Sequence, residues 1–219
     1  MIGSFAVVLV ALAVAVSRGS VTPATASFGA VPLASRPYAS HLAPITTTWY
    51  CPGMATGPDG GGEVVVANPT DVELSGSITV MGTVGVAPAT QPLSVPARGR
   101  LSVDIAAIVD AAFVAAIVEI DGGEGMVEQR AANPGGDAVS SCTTQTSSSW
   151  YFADGYTLSN SIEQIILVNP SADTASVNMR FVTDKGSRRP AALQGRTIAP
   201  RSVQVLSIAE SGFRDEPII

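Results

Sequence analysis

The sequence is poor in charged residues, which make up 14% of its 219 residues, against roughly 25% in ordinary soluble domains. Lys185 is its only lysine and His41 its only histidine, and the net charge is -6. Without a basic surface the chain has nothing to hold a phosphate backbone, so nucleic acid is not expected as a partner. A Ser-His-acid triad is not expected either, because His41 stands alone in a Pro-rich stretch and no G-x-S-x-G motif occurs.

Cysteine is also scarce, and the only two are Cys51 and Cys142. Two thiols without nearby histidines fall short of a tetrahedral zinc site, so we expect no metal and no cofactor. In an exported chain a disulfide is the leading interpretation, with two buried thiols as the alternative. The bridge would span 91 positions (142 − 51 = 91) and join the start of a domain to its end.

The acidic residues form no recognisable site. Asp59 with Glu63, and Asp121 with Glu124, lack the dense oxygen-ligand spacing of a calcium loop. Two carboxylates alone could still hydrolyse a glycan, but no pair stands out in the sequence.

The one long apolar run, Ile2 to Val16, has fifteen residues. It is short for a membrane span and typical of a signal-peptide core, although a buried core helix is the alternative. Ala24-Thr25-Ala26 then offers the small-x-small pattern of a cleavage site. We expect residues 1–26 to be a helical signal peptide or membrane anchor, and residues 27–47, rich in Pro, Ala and Ser, to be an extended linker.

From Trp49 onward, short apolar runs broken by Gly, Pro, Asn and Asp predict an all-β fold. Their order is written twice: Trp49 matches Trp150 and Asn68 matches Asn169 at one offset (150 − 49 = 101; 169 − 68 = 101). Each Asn precedes a proline and follows a strand pattern, so both are interpreted as turn formers. This period predicts two tandem β-sandwich domains of immunoglobulin type, the first repeat at 48–148 and the second repeat at 149–219.

Alternation of apolar residues predicts the strands of the first repeat, Glu63–Ala67, Leu74–Val80 and Leu101–Ile105, and a hairpin from Val114–Ile120 to Met126–Arg130. The Gly-rich turn "DGGEG" would close that hairpin. The second repeat has no counterpart of it, so we expect this domain to be truncated by its last two strands. We also expect the terminal "SGFRDEPII" to be poorly ordered, because an open core would give it little to pack against.

Four segments, "TWYCPG", "VANP", "SSCTTQTSSSWYFADGYT" and "VNPSADTASVNMRFVTDKGSRRPAALQGRTIAPRSV", together resemble the secreted actinobacterial domain-of-unknown-function family numbered fifty-seven nineteen. The match runs from Trp49 to about Ile208. The resemblance implies an exported or membrane-anchored envelope protein of β-sandwich type. It implies no reaction and therefore no catalytic residue.

Two aromatic pairs, Trp49-Tyr50 and Trp150-Tyr151, open the two repeats. Flat rings of this kind could form a platform for the sugar rings of a cell-wall glycan. Packing in a core or between domains is the alternative that we favour for all four. The residue after each pair differs, and we expect Phe152, in place of Cys51, to mark a copy that is held by packing against its neighbour.

Cations gather in the second repeat, where "TDKGSRRP" predicts a hairpin tip carrying Lys185, Arg188 and Arg189. These side chains could contact an anionic glycan or lipid phosphate. A solvated turn, with Asp184 close by, is the alternative that we favour.

Taken together, these patterns indicate a non-enzymatic exported envelope protein, either secreted or held at the membrane by its N-terminal segment. It would act as a scaffold or contact wall polymer or envelope proteins. The second hypothesis is an accessory carbohydrate-binding protein using the Trp-Tyr surfaces, and the third is a carboxylate-based glycan hydrolase.

Overall fold

The computed structural model describes residues 46–57, 60–132, 136–153, 155–157, 161–213 and 217–218, all within one compact unit, Ala43–Ile219. The predicted signal peptide or anchor at 1–26 lies outside the described residues, as do His41, Asp59 and nearly all of the linker predicted at 27–47.

The described part of the chain is all-β, as predicted, and contains no α-helix. Nothing helical in it has the length and apolar character that a membrane span requires. The strands are β1 (Thr46–Ala55), β2 (Gly61–Ala67), β3 (Leu74–Gly82), β4 (Ala89–Val95), β5 (Arg100–Asp104), β6 (Phe113–Asp121), β7 (Met126–Ala132), β8 (Ala138–Ser141), β9 (Gly155–Tyr156), β10 (Gln164–Asn169), β11 (Ala175–Val177), β12 (Phe181–Thr183), β13 (Gly186–Arg188), β14 (Arg196–Ile198), β15 (Ser202–Ser207) and β16 (Pro217–Ile218).

The first repeat forms two four-stranded antiparallel sheets, sheet A in the order β1-β6-β3-β4 and sheet B in the order β5-β2-β7-β8. The alternating apolar side chains of both sheets form a single buried cluster, represented by Val64 and Val66 of sheet B and by Ile78, Val80 and Val118 of sheet A. Burying each such side chain contributes roughly 1.5–3 kcal/mol. β1 begins at Thr46, two residues before the predicted start of the repeat.

The predicted hairpin between β6 and β7 is wrong. Both strands are present, but β6 pairs with β1 and β3 in sheet A, whereas β7 pairs with β2 and β8 in sheet B. The Gly-rich turn carries the chain from one sheet to the other instead of folding it back. A Cβ at Gly125 would collide with the buried side chain of Ile120, which would have to shift.

Cys51 and Cys142 form a disulfide, as predicted, with a Cα–Cα distance of 4.6 Å. Cys51 belongs to β1 of sheet A. Cys142 follows β8 of sheet B, and its N–H donates to Val127 of β7. The covalent bond therefore joins the two sheets of the first repeat.

A second link between the sheets is polar. β1 bulges between Cys51 and Met54, where Gly53 has φ +108°. The buried amide of Gln129 from β7 satisfies both backbone groups of Gly53, accepting from its N–H at 2.9 Å and donating to its carbonyl at 2.8 Å. A side chain at this bulge is excluded because a Cβ would lie 2.5 Å from the Val114 carbonyl oxygen.

The second repeat reproduces the positions of six of these eight strands. The sheet β13-β12-β16-β9 follows the order β4-β3-β6-β1 of sheet A, and the pair β10-β15 follows β2-β5. In the first repeat β2 lies between β5 and β7, whereas no strand within the described ranges takes the place of β7 beside β10. Accordingly Ile165 and Leu167, the counterparts of Val64 and Val66, are only half-buried.

The described part of 211–219 packs into the second repeat, although we expected it to have little to pack against. Phe213 is fully buried and its ring centroid lies 4.4 Å from that of Phe181, so it fills the second core. β16 then pairs with both β9 and β12.

The two repeats pack against each other through β10 and β15. Ile165 and Leu167 of β10 face the core of their own repeat, whereas Ile166 and Val168 join a cluster centred on Met81, Ala115 and Val203. Met81 and Ala115 lie on the outer face of sheet A. The continuous run "IILV" is therefore apolar on both faces because both faces are covered.

Each repeat also buries one asparagine at the end of its β2 or β10 strand. The Asn68 amide nitrogen lies 2.7 Å from the carbonyl oxygen of Val72 and 3.0 Å from those of Val95 and Pro96. Its Oδ1 accepts from the N–H and hydroxyl of Thr70. Asn68 is thus a turn former, as predicted, but one that also ties together three backbone segments.

Asn169 repeats the arrangement at the equivalent position. Its amide nitrogen lies 2.7 Å from the Asp173 carbonyl oxygen, 3.2 Å from that of Ile198 and 3.1 Å from that of Ala199. The N–H of Ser171 donates to its Oδ1. Both asparagines are buried, which the Asn-Pro signal did not reveal.

Candidate functional site

The two aromatic pairs that look alike in the sequence have different environments. Trp49 lies in β1 and packs against the core of the first repeat, and its indole nitrogen is buried. Tyr50 faces the other side of the sheet, where the register sets it opposite Ile117 of the cluster between the repeats. The packing of Trp49 against the core agrees with the packing interpretation for this residue, and Tyr50 is half-buried.

Trp150 and Tyr151 depart from the packing interpretation, which is wrong for this pair. The exposed fraction is 56% for Trp150, 88% for Tyr151 and 72% for Phe152. Phe152 therefore does not pack against the neighbouring repeat, whose contact is made by β10 and β15. We call Trp150–Phe152 the aromatic segment.

A serine turn precedes the aromatic segment and orients its first ring. The Ser147 hydroxyl donates to the Ser149 carbonyl at 2.7 Å and accepts from the Ser149 N–H at 3.1 Å. The Trp150 indole N–H then donates to the Ser147 carbonyl at 3.1 Å. The edge of the indole is thereby fixed to the backbone while more than half of its surface faces solvent. The polar run "TTQTSSS" was the signal in the sequence that this segment is a loop and not a strand.

The difference between the two tryptophans is measurable by fluorescence quenching. We expect Trp150→Phe to lower the acrylamide quenching constant of the protein several-fold, because the remaining indole of Trp49 is shielded by the core. The matched variant Trp49→Phe should leave the quenching constant as high as in the wild type or raise it. Equal quenching of both variants would contradict the assignment.

The three predicted cations do not act as a group. The Arg188 guanidinium stacks on the buried Phe213 ring at 4.4 Å and lies 3.4 Å from the Gly212 carbonyl oxygen. Lys185 sits in the two-residue turn of the β12–β13 hairpin, which confirms the predicted hairpin tip. Arg189 lies beyond the hairpin and lines a cavity with Arg180. The structure thus separates Arg189 from the other two.

Three ion pairs join residues of the first repeat. Arg98 binds Asp71 at 2.8 Å on an exposed turn, and this pairing lowers the pKa of the Asp71 carboxyl and raises the pKa of Arg98. Arg130 lies 3.4 Å from Glu63 and 3.3 Å from Asp137. Within the described residues no three His, Cys, Asp or Glu side chains come together as a metal site would require.

No protein-family model matches the chain, and no curated protein sequence matches it. Among solved structures the chain is similar to the crystal structure of Thermotoga maritima 1070, with 9% sequence identity and a TM-score of 0.40. The likeness covers 45% of this chain and 94% of that one. At this level it bears on neither the activity nor the ligand of the chain.

Proposed function

We propose that the protein is a non-enzymatic, exported interaction module of the cell envelope, built from two β-sandwich repeats of immunoglobulin type. Its first repeat is closed by a disulfide, a bond that persists in oxidising compartments. The apolar run Ile2–Val16 and the family resemblance support export, either as a secreted protein or through an N-terminal anchor.

The observation that carries the interaction role is the exposure of the aromatic segment. Three adjacent large aromatic side chains are more than half exposed, and solvent contact of such apolar area is unfavourable unless a partner covers it. Trp and Tyr are also the residues that dominate the binding energy at protein interfaces. The partners that fit this surface are envelope proteins or wall polymer, and the net charge of -6 gives no basis for nucleic acid.

Binding to envelope material tests this role. We expect the full chain to bind a purified cell-wall fraction in a pull-down, and the variant Trp150→Ala/Tyr151→Ala/Phe152→Ala to bind at least roughly tenfold more weakly, since one hot-spot residue is worth about 2 kcal/mol. The matched control Met126→Ala/Val139→Ala removes two other exposed apolar side chains from sheet B. Equal losses in both variants, or no loss in the first, would refute a role of the aromatic segment.

The second candidate is a carbohydrate-binding protein that stacks sugar rings on Trp150 and Tyr151 alone. The exposure of these two rings favours it over the pair in β1. Soluble wall oligosaccharides should then compete with the wall fraction, whereas a protein partner would be unaffected by them. The third hypothesis, a carboxylate-based hydrolase, predicts release of reducing ends from the same fraction.

A further inference from the structure

The second repeat departs from the first at one place in its sheet. In the first repeat β3 and β4 pair without interruption from Leu74–Val95 to Val80–Ala89. In the second repeat the equivalent hairpin is split into β11–β14 and β12–β13. Between the two ladders, one strand has three unpaired residues, 178–180, and the other strand has seven, 189–195. The first repeat has three on each side, 77–79 and 90–92, so four additional residues enter one strand (7 − 3 = 4).

A cavity of about 430 Å³ opens at this break, lined by Asn178, Met179, Arg180, Arg189 and Gln194. Arg180 and Arg189 lie next to the last residue pair of the β12–β13 ladder, Phe181 with Arg188, and both line the cavity. The cavity is therefore a property of the second repeat and its inserted residues. The continuous ladder of the first repeat has no such break.

Arg180 and Arg189 bring two like charges to one cavity, and like charges brought close together repel each other unless something compensates them. Neither Arg180 nor Arg189 has an ion pair or hydrogen bond within the described parts of the chain. Both side chains are exposed. In a protein of net charge -6, these two guanidinium groups offer an anion two charged donors at one open cavity.

The amides at the cavity leave one donor and one acceptor unused. Asn178 Oδ1 accepts from the Gly195 N–H at 2.8 Å, so its NH₂ group remains available. The Gln194 NH₂ group lies 2.7 Å from the Met179 carbonyl oxygen and 3.3 Å from that of Pro190, so its Oε1 remains available. Hydroxyl groups beside the anion could use both positions.

We propose that this cavity binds the carboxylate or phosphate group of a hydroxyl-bearing molecule, an acidic sugar or a polyol phosphate. Arg180 and Arg189 hold the oxyanion with paired N–H donors, a geometry that guanidinium provides and ammonium does not. Asn178 and Gln194 contact the neighbouring hydroxyls. The site is distinct from the aromatic segment and does not depend on its role.

Calorimetric titration of the full chain at low salt tests the site with D-glucuronate, glycerol 1-phosphate and D-glucose. We expect at least one of the two anions to bind, with an affinity that falls as salt is added, and glucose not to bind. The stronger anion identifies which of the two sources the site prefers. Binding of glucose as strong as that of the anions, or no binding of either anion, would overturn the proposal.

Variants locate the binding. Arg180→Gln and Arg189→Gln should each weaken anion binding roughly tenfold, as expected for loss of a charge-assisted hydrogen bond. Arg100→Gln removes the same charge from an exposed strand of the first repeat and should leave binding within about twofold, because a distant surface charge is screened. If Arg100→Gln weakens binding as much as the other two, the effect is one of net charge and the site is refuted.

Thermal unfolding separates a binding role from a structural one. Without anion, the double variant Arg180→Gln/Arg189→Gln should melt at the wild-type temperature or above it, since a repulsive pair has been removed. Added anion should raise the melting temperature of the wild type and not that of the double variant. A large fall in the melting temperature of the double variant without anion would instead show that the two arginines support the fold.

Discussion

Replacing both Cys51 and Cys142 by alanine is expected to lower the free energy of unfolding by roughly 2–5 kcal/mol. The bridge closes a loop of 91 positions, and the chain-entropy model gives about 4–5 kcal/mol for a loop of that length. The bond also connects sheet A to sheet B, beside the backbone bridge between Tyr50 and Thr143. Urea titration of the full chain, followed by circular dichroism, measures the change.

Reducing agent provides the control, because the second repeat contains no cysteine and the Cys51–Cys142 bond is the only disulfide that can be reduced. Reducing agent should shift the unfolding midpoint of the wild type to that of the double variant and leave the double variant itself unchanged. The contact of Met81 and Ala115 with Val203 should transmit part of the loss to the second repeat. A loss below about 1 kcal/mol would contradict the importance of this long loop closure.

Replacing Asn68 by alanine is expected to cost roughly 3 kcal/mol of unfolding free energy. One buried side chain contacts three backbone carbonyl oxygens there and accepts from the N–H and hydroxyl of Thr70, and alanine removes all of these bonds. Each hydrogen bond contributes about 0.5–1.5 kcal/mol, and several are lost together. Asn169→Ala should have a similar effect, since its amide contacts three carbonyl oxygens as well.

The isosteric variant Asn68→Asp separates shape from hydrogen bonding. The aspartate keeps the oxygen that accepts from Thr70. Its second oxygen, however, would be a charged acceptor beside the carbonyl oxygens of Val72, Val95 and Pro96. We therefore expect this variant to be at least as destabilising as alanine at neutral pH. Thr70→Ala, which removes only the bonds of its hydroxyl, should cost less than half as much. Comparable losses for Thr70→Ala and Asn68→Ala in the same urea titration would show that the turn, and not the buried amide, provides the stability.

The strands of the first repeat were predictable because their pattern is local. Alternation of apolar residues placed β2, β3 and β5 to within a few residues, because one face of each strand lies on the core of the first repeat. The pairing of β6 with β1 and β3 was not predictable from the same pattern, because a Gly-rich turn permits either a hairpin or a crossing between sheets. Here the crossing forms, because β7 pairs with β2 and β8 of sheet B.

The candidate sites show the same division. The sequence singled out Trp150, Tyr151 and Arg189 as possible ligand contacts. It could not distinguish Trp49 and Tyr50 from Trp150 and Tyr151, because the two motifs are nearly identical. Burial separates them: one pair lies in a continuous strand within two packed layers, and the other follows a serine turn. Arg180 was not singled out as a ligand, because only the folded hairpin brings it to the same cavity as Arg189.

The sequence alone determined the all-β character, the duplication at an offset of 101 residues and the pairing of the only two cysteines. These follow from local periodicity, internal repetition and the absence of any other thiol. Tertiary structure alone decided which strands are neighbours, which face of β10 meets the first repeat and which aromatic and cationic side chains remain accessible. Those properties depend on contacts between residues far apart in the chain, and equal local sequences acquire different exposures when their surroundings differ.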